Sequence, residues 1–175
     1  FLNKGALDKG AVRPKEVPDQ SVRKLGILGA GMMGAGIALV SAQAGIEVVL
    51  IDQSQAAADK GKAYVAGYCD KGVARRKSTP EHKEALLSRI DATTNYQALT
   101  ECDLIIEAVF EDPKIKAEVT KQVEAVIGPD CIFASNTSTL PITELAKASA
   151  RPDQFIGIHF FSPVEKMALV EIIKG

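Results

Sequence analysis

From Val22 onward, short runs of unbroken apolar character alternate with longer stretches in which apolar residues return every three or four positions. The first pattern belongs to strands buried on both faces and the second to amphipathic helices. Strands are predicted over 24–28, 47–51, 90–94, 103–109, 131–134, 155–161 and 168–173. Between them fall helices: one leaving Gly34 with Ile37, Val40 and Ala44 on one face, one over 55–71 carrying Ala57, Ala58, Tyr64, Val65 and Tyr68, and one with Ala85, Leu86 and Leu87. A further helix places Ile115, Val119, Val123, Val126 and Ile127 at helical spacing, and a last one starts at Pro141. The punctuation agrees: Ser78-Thr79-Pro80-Glu81 and Asp112-Pro113 are helix starts, and Gly128-Pro129 is a stop. This alternation predicts an α/β domain, a doubly wound and mainly parallel sheet with helices on both faces.

Residues 1–21 carry two glycines and two prolines among scattered charge without a period, and read as a linker or lead-in. The domain is therefore expected over 22–175. The absence of an initiating Met and the strand-like ending at Leu169-Val170-Glu171-Ile172-Ile173-Lys174-Gly175 lead to the expectation of a piece of a longer protein.

The first strand runs into Gly29-Ala30-Gly31-Met32-Met33-Gly34 and emerges as a helix. In such a turn Gly29 permits the tight bend, Gly31 lets backbone approach a pyrophosphate, and Gly34 lets helix pack on strand. Ala30, Met32 and Met33 belong to the same anion-facing turn, at the positive end of the helix dipole. An acid should close the second strand, and Asp52, followed by Gln53, stands there, 21 residues after Gly31. A carboxylate at that point accepts both ribose hydroxyls of an adenosine and repels a 2′-phosphate, which favours NAD over NADP. The glycine motif alone is compatible with a turn that holds no ligand; its strand, helix and acid in register point to a Rossmann-type dinucleotide site.

Composition narrows the class. A chain of 175 residues buries one real core, and two full domains are not expected. With 46% hydrophobic and 25% charged residues and a net charge of −1, it reads as an ordinary globular domain that binds neither nucleic acid nor a membrane surface. No apolar run is long enough for membrane insertion. Cys69, Cys102 and Cys131 are widely spaced without a CxxC, which suits reduced, buried thiols and a cytoplasmic location rather than disulfides or a metal site.

Several residues sit where such sheets bind ligands, at the carboxyl ends of strands. Glu111 and Lys116 flank the start of a helix, as cleft residues or as plain surface charges. Ser135-Asn136-Thr137-Ser138-Thr139 places small hydrogen-bonding groups at the cleft mouth, or caps the next helix. The basic cluster Lys71, Arg75, Arg76 and Lys77 is either a solvated face or a seat for the phosphates of a coenzyme A thioester. Of the two histidines, His82 lies in the first turn of a helix and reads as exposed and idle. His159 ends an apolar strand. If 155–161 and 168–173 fold back about a turn near Glu165, their positions sum to about 330 and Glu171 stands opposite His159. A carboxylate on one ring nitrogen fixes the tautomer and leaves the other to accept a proton.

GILGAGMMGAGIA, DLIIEAVFEDPKIKAEV, CIFASNTSTLPITELA and FIGIHFFSPVEKMALVEIIKG resemble the L-3-hydroxyacyl-CoA dehydrogenases over essentially all of 22–175. The likeness is nearest to the dehydrogenase part of multifunctional fatty-acid oxidation enzymes, and FLNKGALDKG resembles the segment joining hydratase to dehydrogenase there. The resemblance implies oxidation of a 3-hydroxyacyl-CoA thioester with hydride transfer to NAD in β-oxidation. It makes His159 the base, Glu171 its orienting carboxylate, and Ser138 a contact to substrate oxygen and nicotinamide; Glu111 and Lys116 become cofactor contacts. It also implies a helical domain after Gly175 and an oligomeric parent, fused to or complexed with other β-oxidation activities. One position departs: Ser162 stands where the family usually has Asn. Other readings are a different β-hydroxyacid dehydrogenase, which would commonly use a Lys base, or a non-catalytic NAD-sensing module.

Overall fold

The alternation of buried runs and amphipathic stretches is realised element by element. The computed structural model describes residue 16 and residues 20–175, so the lead-in expected over 1–21 lies almost wholly outside the described residues. The elements are Lys24–Leu28 (β1), Met32–Gln43 (α1), Glu47–Ile51 (β2), Gln55–Ala74 (α2), Pro80–Leu87 (α3), Ile90–Thr93 (β3), Leu104–Glu107 (β4), Pro113–Glu124 (α4), Ile132–Ser135 (β5), Ile142–Ala146 (α5), Phe155–Phe160 (β6) and Val170–Ile173 (β7). Every expected strand is present, with ends displaced by at most two residues.

The strands pair in the order β3-β2-β1-β4-β5-β6-β7. All neighbours run parallel except β6 and β7, which are antiparallel. Successive side chains enter opposite cores, as strand geometry requires. Val48 and Leu50 of β2 join Ile27, Leu39, Val65 and Leu86 on one face. Val49 and Ile51 join Val123, Phe133, Ile142 and Leu145 on the other. With α1, α2 and α3 on the first face and α4 and α5 on the second, the sheet is doubly wound, as the Rossmann-type α/β expectation holds.

Two helices bury other faces than their sequence suggests. In α1 everything from Gly34 to Leu39, and then Ser41 and Ala42, is buried, whereas Ala44 is exposed. A helix following a central strand packs between the sheet and α2, so both sides lose their water. In α2 the sheet-facing stripe is Ala58, Gly61, Val65 and Cys69, and Tyr64 and Tyr68 lie outside it, partly exposed.

The turn between β1 and α1 fixes their approach. Gly29 adopts φ +93°, a conformation that side chains resist, and its N–H donates to the Ile51 carbonyl at 2.8 Å. A Cβ on Gly34 would lie 1.8 Å from the Gly29 carbonyl oxygen. That atom is backbone and cannot swing aside. Gly34→Ala is therefore expected to lower stability by about 3 kcal/mol, read as a fall in the urea midpoint without a change in slope.

Candidate active site

The strand order reverses between β1 and β4, and a crevice opens at their carboxyl ends. Its first half, a hollow of about 380 Å³, is lined by Gly29, Gly31, Met32, Met33, Asp52 and Gln53, with Tyr96, Ile115 and Val119 on the far wall. Gly31 is the N-cap of α1 and brings no side-chain oxygen to the first N–H groups of the helix, which leaves these donors for a ligand. A Cβ on Gly31 would meet no atom within 4 Å. Packing thus makes no demand for glycine there, and the space such a group would fill is the space in front of the helix end. Ala30 is buried, and its N–H donates to Asp52 Oδ2 at 2.7 Å; Gln53 N–H donates to Oδ1 at 2.7 Å. The carboxylate is pinned at the crevice by two backbone donors.

A second hollow of about 330 Å³ continues from Met33, Ala108 and Val109 to Ser138, His159 and Ser162. The register of β6 and β7 places Glu171 opposite His159. His159 Nδ1 lies 3.0 Å from Glu171 Oε2, so the ring N–H donates to the carboxylate. Ser138 Oγ is 3.3 Å from Nε2 on the other side of the ring. Glu171 is 51% exposed and the imidazole 17%. The ring is fixed from both nitrogens with one edge toward the cleft. Asn136 Oδ1 accepts the Phe160 N–H at 2.8 Å and ties the end of β6 to the loop that carries Ser138. Ser162 lines the cleft, its hydroxyl 3.9 Å from Met32 Sδ.

Glu111 gathers this loop. Its Oε1 accepts from the Thr137 hydroxyl, from the Ser138 N–H at 3.0 Å, and from the Thr139 N–H at 3.1 Å. Burial alone would raise its pKa, but hydrogen bonds from Thr137, Thr139 and Ser138, with the charge of Lys116, outweigh that and hold it at about 2. Lys116 lies behind it, 3% exposed, with Nζ 3.2 Å from Glu111 Oε2 and 2.7 Å from Oε1 of Glu107. Sequence reasoning missed Glu107, a carboxylate 1% exposed inside an apolar strand. A signal existed: 116, 120, 123 and 127 form one helical stripe, which puts Lys116 on the buried face with Thr120, Val123 and Ile127. A buried lysine calls for a buried acid.

Of the two jobs considered for the 135–139 segment, the structure shows the first: Asn136, Ser138 and Thr139 line the cleft, whereas α5 has Pro141 at its N-cap and no side-chain cap hydrogen bond, Thr137 Oγ1 accepting the Leu140 N–H at 3.0 Å ahead of the helix. His82 is exposed on α3, as expected. The three cysteines are free and buried. Lys71, Arg75 and Lys77 edge a separate hollow of about 790 Å³ that Glu165 and Lys166 also border.

The family model described as the NAD binding domain of 3-hydroxyacyl-CoA dehydrogenase matches residues 24–175. The chain belongs to this family. A probable 3-hydroxybutyryl-CoA dehydrogenase of Deinococcus radiodurans is 47% identical over 152 residues, which are 87% of this chain and 54% of that protein. The fatty acid oxidation complex subunit alpha of Idiomarina loihiensis is 43% identical over 175 residues, all of this chain and 24% of that one. A crystal structure of (S)-3-hydroxybutyryl-CoA dehydrogenase from Ralstonia eutropha aligns at a TM-score of 0.85 and 46% identity, over 89% of this chain and 55% of its own. The chain thus spans only about a quarter to a half of the length of these relatives.

As an NAD-binding domain of the dehydrogenase family, the chain offers what that cofactor needs: free helix-end donors, an open approach at Gly31 and a carboxylate at the second strand's end. Gly31→Ala is expected to leave the unfolding midpoint nearly unchanged and to weaken NAD binding at least about tenfold by obstructing the anion's approach to the backbone, as titration calorimetry would read. A second expectation concerns acid. Glu111 falls from 4.5 to about 2 on folding, so its ionised form supports the fold above the higher value and that support disappears as pH drops through the lower. The difference in Tm between wild type and Glu111→Gln, present at neutral pH, should narrow across that interval.

Proposed function

We propose that this chain is the cofactor half of an enzyme that oxidises L-3-hydroxyacyl-CoA to 3-ketoacyl-CoA in fatty-acid β-oxidation. The observation that carries the reading is the imidazole of His159 held between Glu171 and Ser138 at the nicotinamide-side hollow. Gly29, Ala30, Gly31, Met32, Met33 and Gly34 form the turn that would hold the pyrophosphate, and Asp52 and Gln53 the ribose end. Bound NAD supplies the acceptor for the hydrogen and electron pair that leave C3.

The remaining work belongs to the protein. His159 removes the proton of the 3-hydroxyl through Nε2, the nitrogen that Glu171 leaves free. Glu171 then faces the imidazolium that forms, and its charge stabilises that ion without itself taking the proton. Ser138 lies on the Nε2 side, where its hydroxyl hydrogen-bonds the substrate oxygen as its charge changes. Glu111 presents a permanent negative charge at the cleft wall, beside the cofactor, and Lys116 stands behind it.

An acyl-CoA substrate agrees with the cationic rim of Lys71, Arg75 and Lys77, which suits phosphates. The greater length of the relatives, and the name fatty acid oxidation complex subunit alpha that one of them carries, support a parent protein that has further domains and is oligomeric, fused to or complexed with other β-oxidation activities. A cytoplasmic setting fits three free thiols; among the described residues no helix is long and apolar enough to cross a membrane. The test is His159→Gln in the full-length protein with 3-hydroxybutyryl-CoA and NAD. The expected result is a loss of kcat of about a thousandfold with NAD affinity nearly intact, and wild-type turnover would refute the base.

A further inference from the structure

The ion pair at Lys116 is placed unusually for a structural one. Glu107 is fixed on all sides: Oε1 accepts from the Val109 N–H at 2.9 Å and from Lys116 Nζ at 2.7 Å, and Oε2 accepts the Ser135 hydroxyl at 2.8 Å. Both carboxylate oxygens are thereby satisfied from the loop after β4, from β5 and from α4. A buried ammonium cannot leave a fully buried counter-ion without a large desolvation cost, so Lys116 is fixed in turn. Its second partner is different. Glu111 sits in the loop after β4 with its side chain 38% exposed, 3.2 Å from Nζ through Oε2. Its other oxygen collects the donors of Thr137, Ser138 and Thr139. Alternating charges therefore run outward from the sheet core and end on the loop whose Ser138 hydroxyl faces His159 Nε2.

We propose that Glu107 is a positioning residue which, through Lys116 and Glu111, sets the 137–139 loop so that the Ser138 hydroxyl faces the reactive nitrogen of His159. Its consequence for turnover rests on the dehydrogenase reading; the positioning itself is a property of this chain. Without the charge at 107, Lys116 has one counter-ion instead of two and draws Glu111 inward. The four hydrogen bonds on Glu111 Oε1 then move with it, and Ser138 leaves the imidazole. A mere core ion pair would affect stability and nothing at His159.

The chain has two histidines, and His82 on α3 is exposed and serves as an internal reference. With ¹⁵N-labelled histidine, Glu107→Gln is expected to shift the His159 Nε2 resonance toward its position in Ser138→Ala, leave His82 unmoved, and have no further effect in the Ser138→Ala background. In the full-length enzyme, Glu107→Gln should lower kcat about tenfold at nearly constant KM for both substrates, and by less than about twofold when Ser138 is already Ala. An unmoved His159 resonance, a kcat loss of equal factor in both backgrounds, or a change confined to KM would overturn the proposal. Should Glu107→Gln fail to fold, the neutral pair Glu107→Gln with Lys116→Met removes both buried charges and frees Glu111 from its tether; the His159 Nε2 resonance must then still leave its wild-type position, and an unmoved resonance overturns the proposal. A His159 response in a chain whose full-length parent shows no dehydrogenase turnover would sustain the positioning and sink the dehydrogenase reading.

Discussion

The approach of α1 to β1 is the constraint from which the rest of the structure follows. A central strand buried on both faces must hand its chain to a helix that lies directly on the sheet, and here the contact is so close that no side chain fits between Gly34 and the Gly29 carbonyl. That contact aims the open end of α1 along the carboxyl edge of the sheet. It also brings the Ala30 N–H onto Asp52, so the glycine turn and the carboxylate at the end of β2 are fixed relative to each other before any ligand arrives. Preorganisation of this kind spares a bound cofactor the ordering cost of its own site.

The same helix reaches the His159 side of the crevice. Val164, in the connection between β6 and β7, is buried against Gly36, where a Cβ would stand 2.9 Å from its own. The connection that brings Glu171 back to His159 is thus seated on the helix whose first turn lines the crevice. An antiparallel return is what allows this pairing within twelve residues, since a parallel neighbour would need a crossover of a dozen or more residues. The glycine turn and the His–Glu pair are thus joined through one helix.

Much of this was legible in the sequence. Strand positions followed from unbroken apolar runs, and the fold-back arithmetic gave the register of β6 and β7, because hydrogen-bonded antiparallel strands conserve the sum of paired positions. What the sequence hid was burial that depends on neighbours. The all-round burial of α1 comes from α2 lying over it, which no window of α1 reveals. Tyr64 and Tyr68 look like core residues by type, yet α2 meets the sheet through Ala58, Gly61, Val65 and Cys69, where small side chains permit the approach. Glu107 was read as one letter in an apolar run, and its meaning lies in Lys116, nine residues later on another element. Ion pairs across elements have no period for a sequence to display.

The sulfur chemistry has a practical outcome. Burial pushes the Cys102 thiol up to about 12 and Cys131 to about 11, and raises Cys69 as well. Since the thiolate is the nucleophile, alkylating reagents at neutral pH meet neutral thiols at Cys102 and Cys131 in the core, while Cys69 borders the 790 Å³ hollow beside α2. With Cys69 replaced by Ser, one cysteine introduced at a chosen surface position would therefore carry a dye or spin label alone, Cys102 and Cys131 left in place.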